Sequence, residues 1–350
     1  MLSINPDFTE KLKKYGSVDI NACYNCGNCT AICPLSEGEN SFPRKMLRYS
    51  VLGVDSKINT SLEPWLCYYC GECSETCPRE ANPGELMMSL RRFLTAKYDW
   101  TGLSGLFYKS AAALWIGFIL VGLAMIGVGY YEKFDLDSLM HFGHVFEQLL
   151  VLCVFSLILI PNIIRMYWFT ILKNKVKAPI SAYIKGIQEF IVHMVTQKNA
   201  LKCEDNTFRW FEHLLVVFGY LFLLLLAVLL NWYQSELMIL QLVGYITSVI
   251  IFIFTFDFVI SRFRKKKEIS KFSHATDWLF VIWLFLMGFT SFLVRIFWDL
   301  EILESNVWMY LVHLIVIAQW GILIVPFAKW THFLYRSFAM CFEKIKDCSK

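Results

Sequence analysis

The sequence predicts an all-α protein in two unlike parts: a small cysteine-rich helical domain over residues 1–98 and a bundle of six membrane-spanning helices over residues 99–350. Three observations predict it. From Ser110 onward the chain runs in long apolar stretches, and about 18 or more such residues are enough to cross the hydrocarbon core as a helix. The first 98 residues are polar, punctuated by Gly and Pro, and hold eight of the twelve Cys. The whole chain is 57% hydrophobic and only 18% charged, against about 45–50% and about 25% in ordinary soluble domains. That balance excludes a disordered chain, a nucleic-acid-binding tail and a soluble enzyme of this length.

The first twenty residues, MLSINPDFTEKLKKYGSVDI, hold no apolar signal core. The N-terminus is therefore expected to stay in the reducing cytoplasm, where disulfides are disfavoured. The cysteines follow in two runs. Residues 23–34 read CYNCGNCTAICP and residues 67–78 read CYYCGECSETCP, both C-x2-C-x2-C-x3-C-P. Three thiolates spaced by two residues on a tight loop grip three corners of an iron–sulfur cube. The fourth sits too far along its own chain and serves the other cube. Two 4Fe-4S clusters are expected, one on Cys23, Cys26, Cys29 and Cys77, the other on Cys67, Cys70, Cys73 and Cys33. Structural zinc needs only four ligands, usually as two C-x2-C pairs, and this pattern supplies eight. The stretch 34–66, with Phe42-Pro-Arg-Lys-Met-Leu-Arg, reads as partly helical and points to a helical ferredoxin domain. Cys153, Cys203, Cys341 and Cys348 stand alone and read as structural or incidental.

Six apolar runs follow, at about 110–131, 145–168, 212–233, 237–260, 276–297 and 307–328, each bounded by charge or by Trp and Tyr. Twelve Trp, sixteen Tyr and thirty Phe suit lipid and its interfaces. Orientation follows from Lys and Arg, which favour the cytoplasmic side. The segment 171–209 carries Lys173, Lys175, Lys177, Lys185, Lys198, Lys202 and Arg209; the segment 261–271 carries Arg262, Arg264, Lys265, Lys266, Lys267 and Lys271. The opposite loops hold little base: 132–143 has only Lys133, and 298–306 has none. Both termini and both basic loops are expected in the cytoplasm, with the chain in the cell (inner) membrane. Within the first basic loop, Pro179 opens a helical pattern with Ile180, Tyr183, Ile184, Ile187, Ile191 and Met194 along one side. It reads as a packing helix, or as one lying in the interface.

Placed on these spans, the histidines form two pairs at two depths. His213 opens the third span and His332 ends the sixth, both at the cytoplasmic level; His144, or its neighbour His141, and His313 lie near the outer side. Facing helices that each supply an imidazole suit the two axial positions of a b-type haem. Two haems b are expected, with His274 as the competing cytoplasmic ligand and His193 incidental. His313 and His332 are 19 residues apart, roughly 28 Å of helix and close to the hydrocarbon thickness. Charged groups in spans are functional candidates by default. Glu147, one turn after His144, is the expected proton acceptor of a quinone site; Arg165, Lys329 and Arg295 are possible partners of haem propionates. Asp277 opens the fifth span, and Asp257, beside a basic run, reads equally well as a surface-paired group.

These residues carry a resemblance that covers nearly the whole chain. The two cysteine runs resemble the C subunit of heterodisulfide reductase. RWFEHLL at 209–215, HATDWLF at 274–280 and VHLIVIAQWGILIVPFAKWTH at 312–332 resemble the cytochrome b subunit of membrane heterodisulfide reductase and the gamma subunit of respiratory nitrate reductase. Fused, the two parts resemble the C subunits of quinone-interacting membrane-bound oxidoreductases (Qmo). The resemblance implies a cytoplasmic α-helical ferredoxin domain joined to a six-helix haem b bundle. It also implies menaquinone as substrate, QmoA/QmoB-like flavin and iron–sulfur subunits as partners, and adenylylsulfate reductase as a soluble partner in dissimilatory sulfur metabolism. An anchor for a heterodisulfide reductase and a membrane-bound iron–sulfur sensor are the alternatives. Two departures stand out. In the gamma-subunit pattern the two His of the last span are 18 apart; 19 puts His313 and His332 about 100° out of helical phase, which a one-residue π-bulge or a kink at Pro326 would absorb. The second His that the pattern places in the third span is Leu223 here, so the outer partner is taken from the second span.

Overall fold

The structure, a computed structural model, describes residues 4–36, 41–197, 200–201, 207–230, 237–265 and 268–349. Cys203 lies outside them. Among the described residues all regular structure is helical. Before the first span, short helices alternate with tight turns, and one long helix, Pro83–Tyr98, runs through their centre. Pro83 sits in its first turn, where the missing N–H costs nothing. Nearly every residue of that helix is buried, with Leu86, Met87, Leu90 and Leu94 fully so.

Helices Ala111–Tyr131, Leu136–Leu172, Thr207–Leu226, Met238–Arg264, Ala275–Asp299 and Glu304–Asp347 contain six segments long and apolar enough to cross a membrane. We number them as spans one to six. The second helix starts at Leu136, where the Asp135 carboxylate accepts from Ser138 N–H at 2.9 Å. His141 and His144 therefore lie inside a helix and not at its mouth. Burial differs among the six. The most apolar stretches of spans one to four are only 17–22% buried, whereas that of the sixth is 72% buried. The sixth segment is thus the most enclosed of the six, and the outer faces of spans one to four are left for lipid.

Two prolines shape this bundle. Proline lacks an N–H and its ring clashes with the carbonyl four residues back. In both cases the helix widens into a π-helical turn just before the proline: Val154–Leu159 before Pro161, and Trp320–Ile324 before Pro326. After Pro326 the backbone is extended at Ala328 (φ −122°, ψ −156°), and helix resumes at Thr331 and continues to Asp347. Both devices anticipated for the one-residue phase error of the last span are therefore present.

The continuation of the last helix completes the cysteine-rich domain. Under 100 residues build a marginal core alone. Here Tyr335, Ala339, Cys341, Phe342 and Ile345 of the last helix, with Met166 and Ile171 of the second span, join Leu12, Met46, Trp65 and Leu90 in one buried cluster. Trp65 lies 5.1 Å from Tyr335 and 6.3 Å from Tyr98, ring centre to ring centre. A buried ionic network adds to it. Arg92 pairs with Glu85 at 3.0 Å and with Asp277, heading the fifth span, at 2.6 Å; Asp277 also pairs with Lys329 at 3.2 Å.

Helix Ile180–Thr196 forms as expected, but not on the face the isoleucines suggest. Ile180, Ile184, Ile187 and Ile191 point outward. The face against the last helix is Ala182, Gly186, Phe190 and His193. Small residues let two backbones approach closely. A Cβ on Gly186 would sit 3.0 Å from the Cys341 carbonyl oxygen and 2.9 Å from Ile345. Gly186→Val should therefore destabilise the folded chain by about 1–3 kcal/mol, the usual cost of overpacking, seen as a lower Tm in detergent. Gly127→Val is the control, since nothing lies within 4 Å of its would-be Cβ, and it should leave Tm unchanged.

Candidate functional site: two cysteine loops above an intramembrane cavity

The two cysteine runs fold alike because they share the same backbone demands. Asn25 and Tyr69 adopt positive φ (58° and 55°), as do Gly27 and Gly71 (96° and 98°). The N–H groups of Asn25 and Tyr69 donate to Cys23 Sγ and Cys67 Sγ, both at 3.3 Å. Amides turned inward in this way form a nest for an anion. Each glycine starts a one-turn helix, Asn28–Ala31 and Glu72–Glu75, and Asn28 Nδ2 donates to Thr76 O at 2.7 Å to join them.

The thiols gather in crossed quartets. Burial pushes Cys29 up to about 11, helped by the nearby Cys23, Cys26 and Cys77. Cys33 is likewise pushed up to about 11, first by burial, and its thiol neighbours are Cys67, Cys70 and Cys29. Cys73 is raised by burial and by Cys67, Cys70 and Cys33. So Cys33 lies beside Cys67, Cys70 and Cys73 of the other run, and Cys77 lies beside Cys29. Among the described residues no three His, Cys, Asp or Glu side chains converge on a single-ion site. A thiol set raised by burial and mutual repulsion must lose protons to ligate, so metal uptake releases protons here. The two loops differ in exposure. Tyr24 in the first is 72% exposed and Cys26 is exposed, while Cys67 and Tyr68 in the second are 8% and 7% exposed. The first loop faces outward and the second faces the bundle.

Inside the bundle lies a cavity of about 270 Å³, bounded mostly by apolar side chains such as Leu284 and Trp320, with Glu147, His213, Tyr220, Ser291, His313 and His332 among its polar groups. His213 and His332 face one another with ring centres 6.4 Å apart. His332 Nδ1 lies 2.5 Å from the Lys329 carbonyl. A carbonyl only accepts, so Nδ1 carries the proton and Nε2 is unprotonated. His313 Nδ1 lies 2.8 Å from Thr290 Oγ1, whose own proton goes to Leu286 O at 2.8 Å.

The other sequence candidates sit elsewhere. His144 Nε2 lies 3.0 Å from the Gln148 side-chain amide nitrogen, and His144 does not line the cavity; His141 is exposed. His274 caps the fifth span through Thr276 N–H at 3.3 Å, and burial lowers its pKa. Arg165 donates to Tyr98 O at 2.8 Å and Lys97 O at 3.2 Å, closing helix Pro83–Tyr98. Arg295 pairs with Asp299 at 2.6 Å and Lys329 with Asp277 at 3.2 Å. The cavity thus gathers Glu147, His213, His313 and His332, and leaves His141, His144, His274, Arg165 and Arg295 outside. Sequence reasoning missed Thr290, which carried no signal of its own. It also missed Arg336, which does: it lies four residues beyond His332, on the same face of one helix.

Comparison with known proteins fits this geometry. Residues 19–81 match the 4Fe-4S dicluster domain family. Over 90 residues the chain is 33% identical to a protein of Archaeoglobus profundus that is itself similar to the C subunit of heterodisulfide reductase, covering 25% of this chain and 48% of that protein. The chain thus spans about half the length of that relative. No solved structure gives a significant match. The chain therefore carries a domain that matches an iron–sulfur family on a helical part long and apolar enough to cross a membrane.

With both cysteine quartets loaded, the purified chain should hold about eight iron and about eight acid-labile sulfide. Cys70→Ser should remove one cluster's signal and keep most of the other. Two zinc ions without sulfide would contradict the assignment.

Proposed function

We propose that this chain is the membrane subunit of a quinone-linked oxidoreductase of the Qmo type. It would exchange electrons between menaquinone and QmoA/QmoB-like flavin and iron–sulfur partners, with adenylylsulfate reductase as the soluble enzyme served. Its carriers would be two 4Fe-4S clusters and b-type haem, and its N-terminal domain and C-terminus would face the cytoplasm. The observation that carries this reading is the His213–His332 separation of 6.4 Å. A metal–imidazole bond is about 2.0 Å and the ring nitrogen lies about 1.1 Å from the ring centre, so two imidazoles on one metal stand about 6.2 Å apart. The residues fit the group: two facing rings in an apolar cavity, one of them with its tautomer set by a carbonyl. Haem held there would supply reversible one-electron transfer.

The chain's own groups account for the rest of the chemistry. Oxidation of a quinol releases two protons with its two electrons. Glu147, the carboxyl group lining the cavity, is placed to take one of them. The buried Cys67 loop lies on the His332 side, joined to the last helix through Arg336, and the exposed Cys23 loop is the face a soluble partner can reach. The second haem, on His313 and His144, rests on less. His144 is engaged by Gln148, and that favours a second reading, in which the His313 half of the cavity holds the quinone beside a single haem. A heterodisulfide reductase anchor would serve a methanophenazine or thiol-disulfide partner instead. A sensor would need no haem.

Absorption spectra of ligand variants separate these readings. His213→Ala and His332→Ala should each abolish the same haem, and His274→Ala should spare it. If two haems are bound, His313→Ala and His144→Ala should each remove the other one. One haem in the wild type, with His313→Ala slowing quinol oxidation alone, would select the second reading. A chain with no haem at all would leave only the sensor.

Glu147→Gln should slow quinol oxidation and flatten its pH dependence while the haem spectrum stays intact. An unchanged rate across pH would place the quinone site elsewhere.

A further inference from the structure

Three guanidinium groups converge on the short stretch of backbone that carries Cys67. Arg91 donates from Nε to Pro64 O at 2.7 Å and from Nη2 to Cys67 O. Arg336 donates from Nε to Trp65 O at 3.1 Å and from Nη2 to the same Cys67 O at 2.5 Å, with its guanidinium 4.5 Å from the Tyr68 ring centre. Arg209, at the start of the third span, reaches Tyr69 O at 3.5 Å. The carboxylates of Glu10, Glu63, Glu85, Asp277 and Asp299 pair with Lys13, Lys45, Arg92, Lys329 and Arg295. None of them neutralises these three arginines.

A buried cation is costly unless an anion compensates it, and two like charges sharing one acceptor oxygen add to the cost. Carbonyl dipoles alone are a weak counterweight to two whole charges. A 4Fe-4S core with four thiolates is an anion, and it becomes one charge more negative on reduction. The first loop is built differently. Its arginines bond the Asn25 side chain at 2.9 Å and cover the exposed Tyr24 ring at 4.2 Å, at the solvent boundary, where water screens their charge.

We infer that Arg91 and Arg336, with Arg209 further out, are the built-in counter-charge of the cluster held by Cys67, Cys70, Cys73 and Cys33, and that they raise its reduction potential. The inference rests on the cluster assignment proposed above. Arg336 is a positioning residue as well, since it bolts the Cys67 loop one helical turn from His332. A reduced, more negative cluster is stabilised by both cations in a site shielded from water, so the cluster nearest the bundle becomes the readier electron acceptor of the two.

The test is a redox titration of the full chain in detergent, followed by electron paramagnetic resonance, with Cys70→Ser assigning the signals. Arg336→Gln should lower the potential of the Cys67-loop cluster so that, at a fixed poise, its reduced-to-oxidised ratio falls at least tenfold, or 59 mV for one electron. The other cluster should not move. Arg336→Lys, which keeps the charge and loses the fork, should titrate close to the wild type. If Arg336→Gln fails to assemble, Arg209→Gln, bonded only at 3.5 Å, should give a smaller shift in the same direction. Equal shifts for Lys and Gln would mean packing and not charge, and unmoved potentials in Arg336→Gln, or in Arg209→Gln where that variant stands in, would overturn the inference outright. A wild-type chain with no iron or sulfide would instead overturn the cluster assignment beneath it.

Discussion

Asp277, at the head of the fifth span, accepts from Arg92 at 2.6 Å and holds Lys329 at 3.2 Å. Arg92 belongs to the central helix of the cysteine-rich domain. Lys329 lies in the break of the last span, and its carbonyl sets the tautomer of His332. One buried carboxylate thus fixes the domain on the bundle and, through two further contacts, orients the imidazole. A buried pair tolerates the loss of one partner poorly, because the other is left charged and unpaired. Placing the network at the joint makes the relative position of loop and imidazole part of folding and not a matter of docking.

The last span shows how a local defect serves the global arrangement. A regular helix over 313–332 would turn His313 and His332 away from each other by about 100°. The π-helical turn at Trp320–Ile324, the proline at 326 and the extended residue at 328 absorb that phase error, and both rings line one cavity. The same pairing of π-turn and proline recurs at Val154–Leu159 and Pro161. In both places the widened turn relieves the clash that proline would make with the preceding carbonyl.

A near-repeat in sequence becomes an asymmetry in space. The two cysteine loops have matching dihedral angles and matching N–H···S contacts. Yet one is covered by the last helix and arginine side chains while the other is open to solvent. Like thiol sets in unlike dielectric surroundings acquire unlike electrostatics.

Much of this was legible in the residues themselves. The spacing of C-x2-C-x2-C-x3-C-P is a local covalent constraint, so an iron–sulfur domain was legible without knowledge of the fold. The six apolar runs were legible because span length is set by bilayer thickness. The depths of His213 and His332 followed from counting residues along helices. What counting could not decide was rotation and contact between elements. Helix Ile180–Thr196 packs by Gly186 and Ala182 and not by its isoleucines, because backbone approach outweighs apolar pattern where lipid also accepts apolar side chains. Which charges meet was equally hidden: Arg165 turned to backbone carbonyls, Arg295 to Asp299, His274 to Thr276, while Arg91 and Arg336 met at Cys67 from positions 245 residues apart in the chain. Ligand spacing and span length are short-range properties of a chain. The pairing of buried charges is long-range, and only the packed tertiary structure settles it.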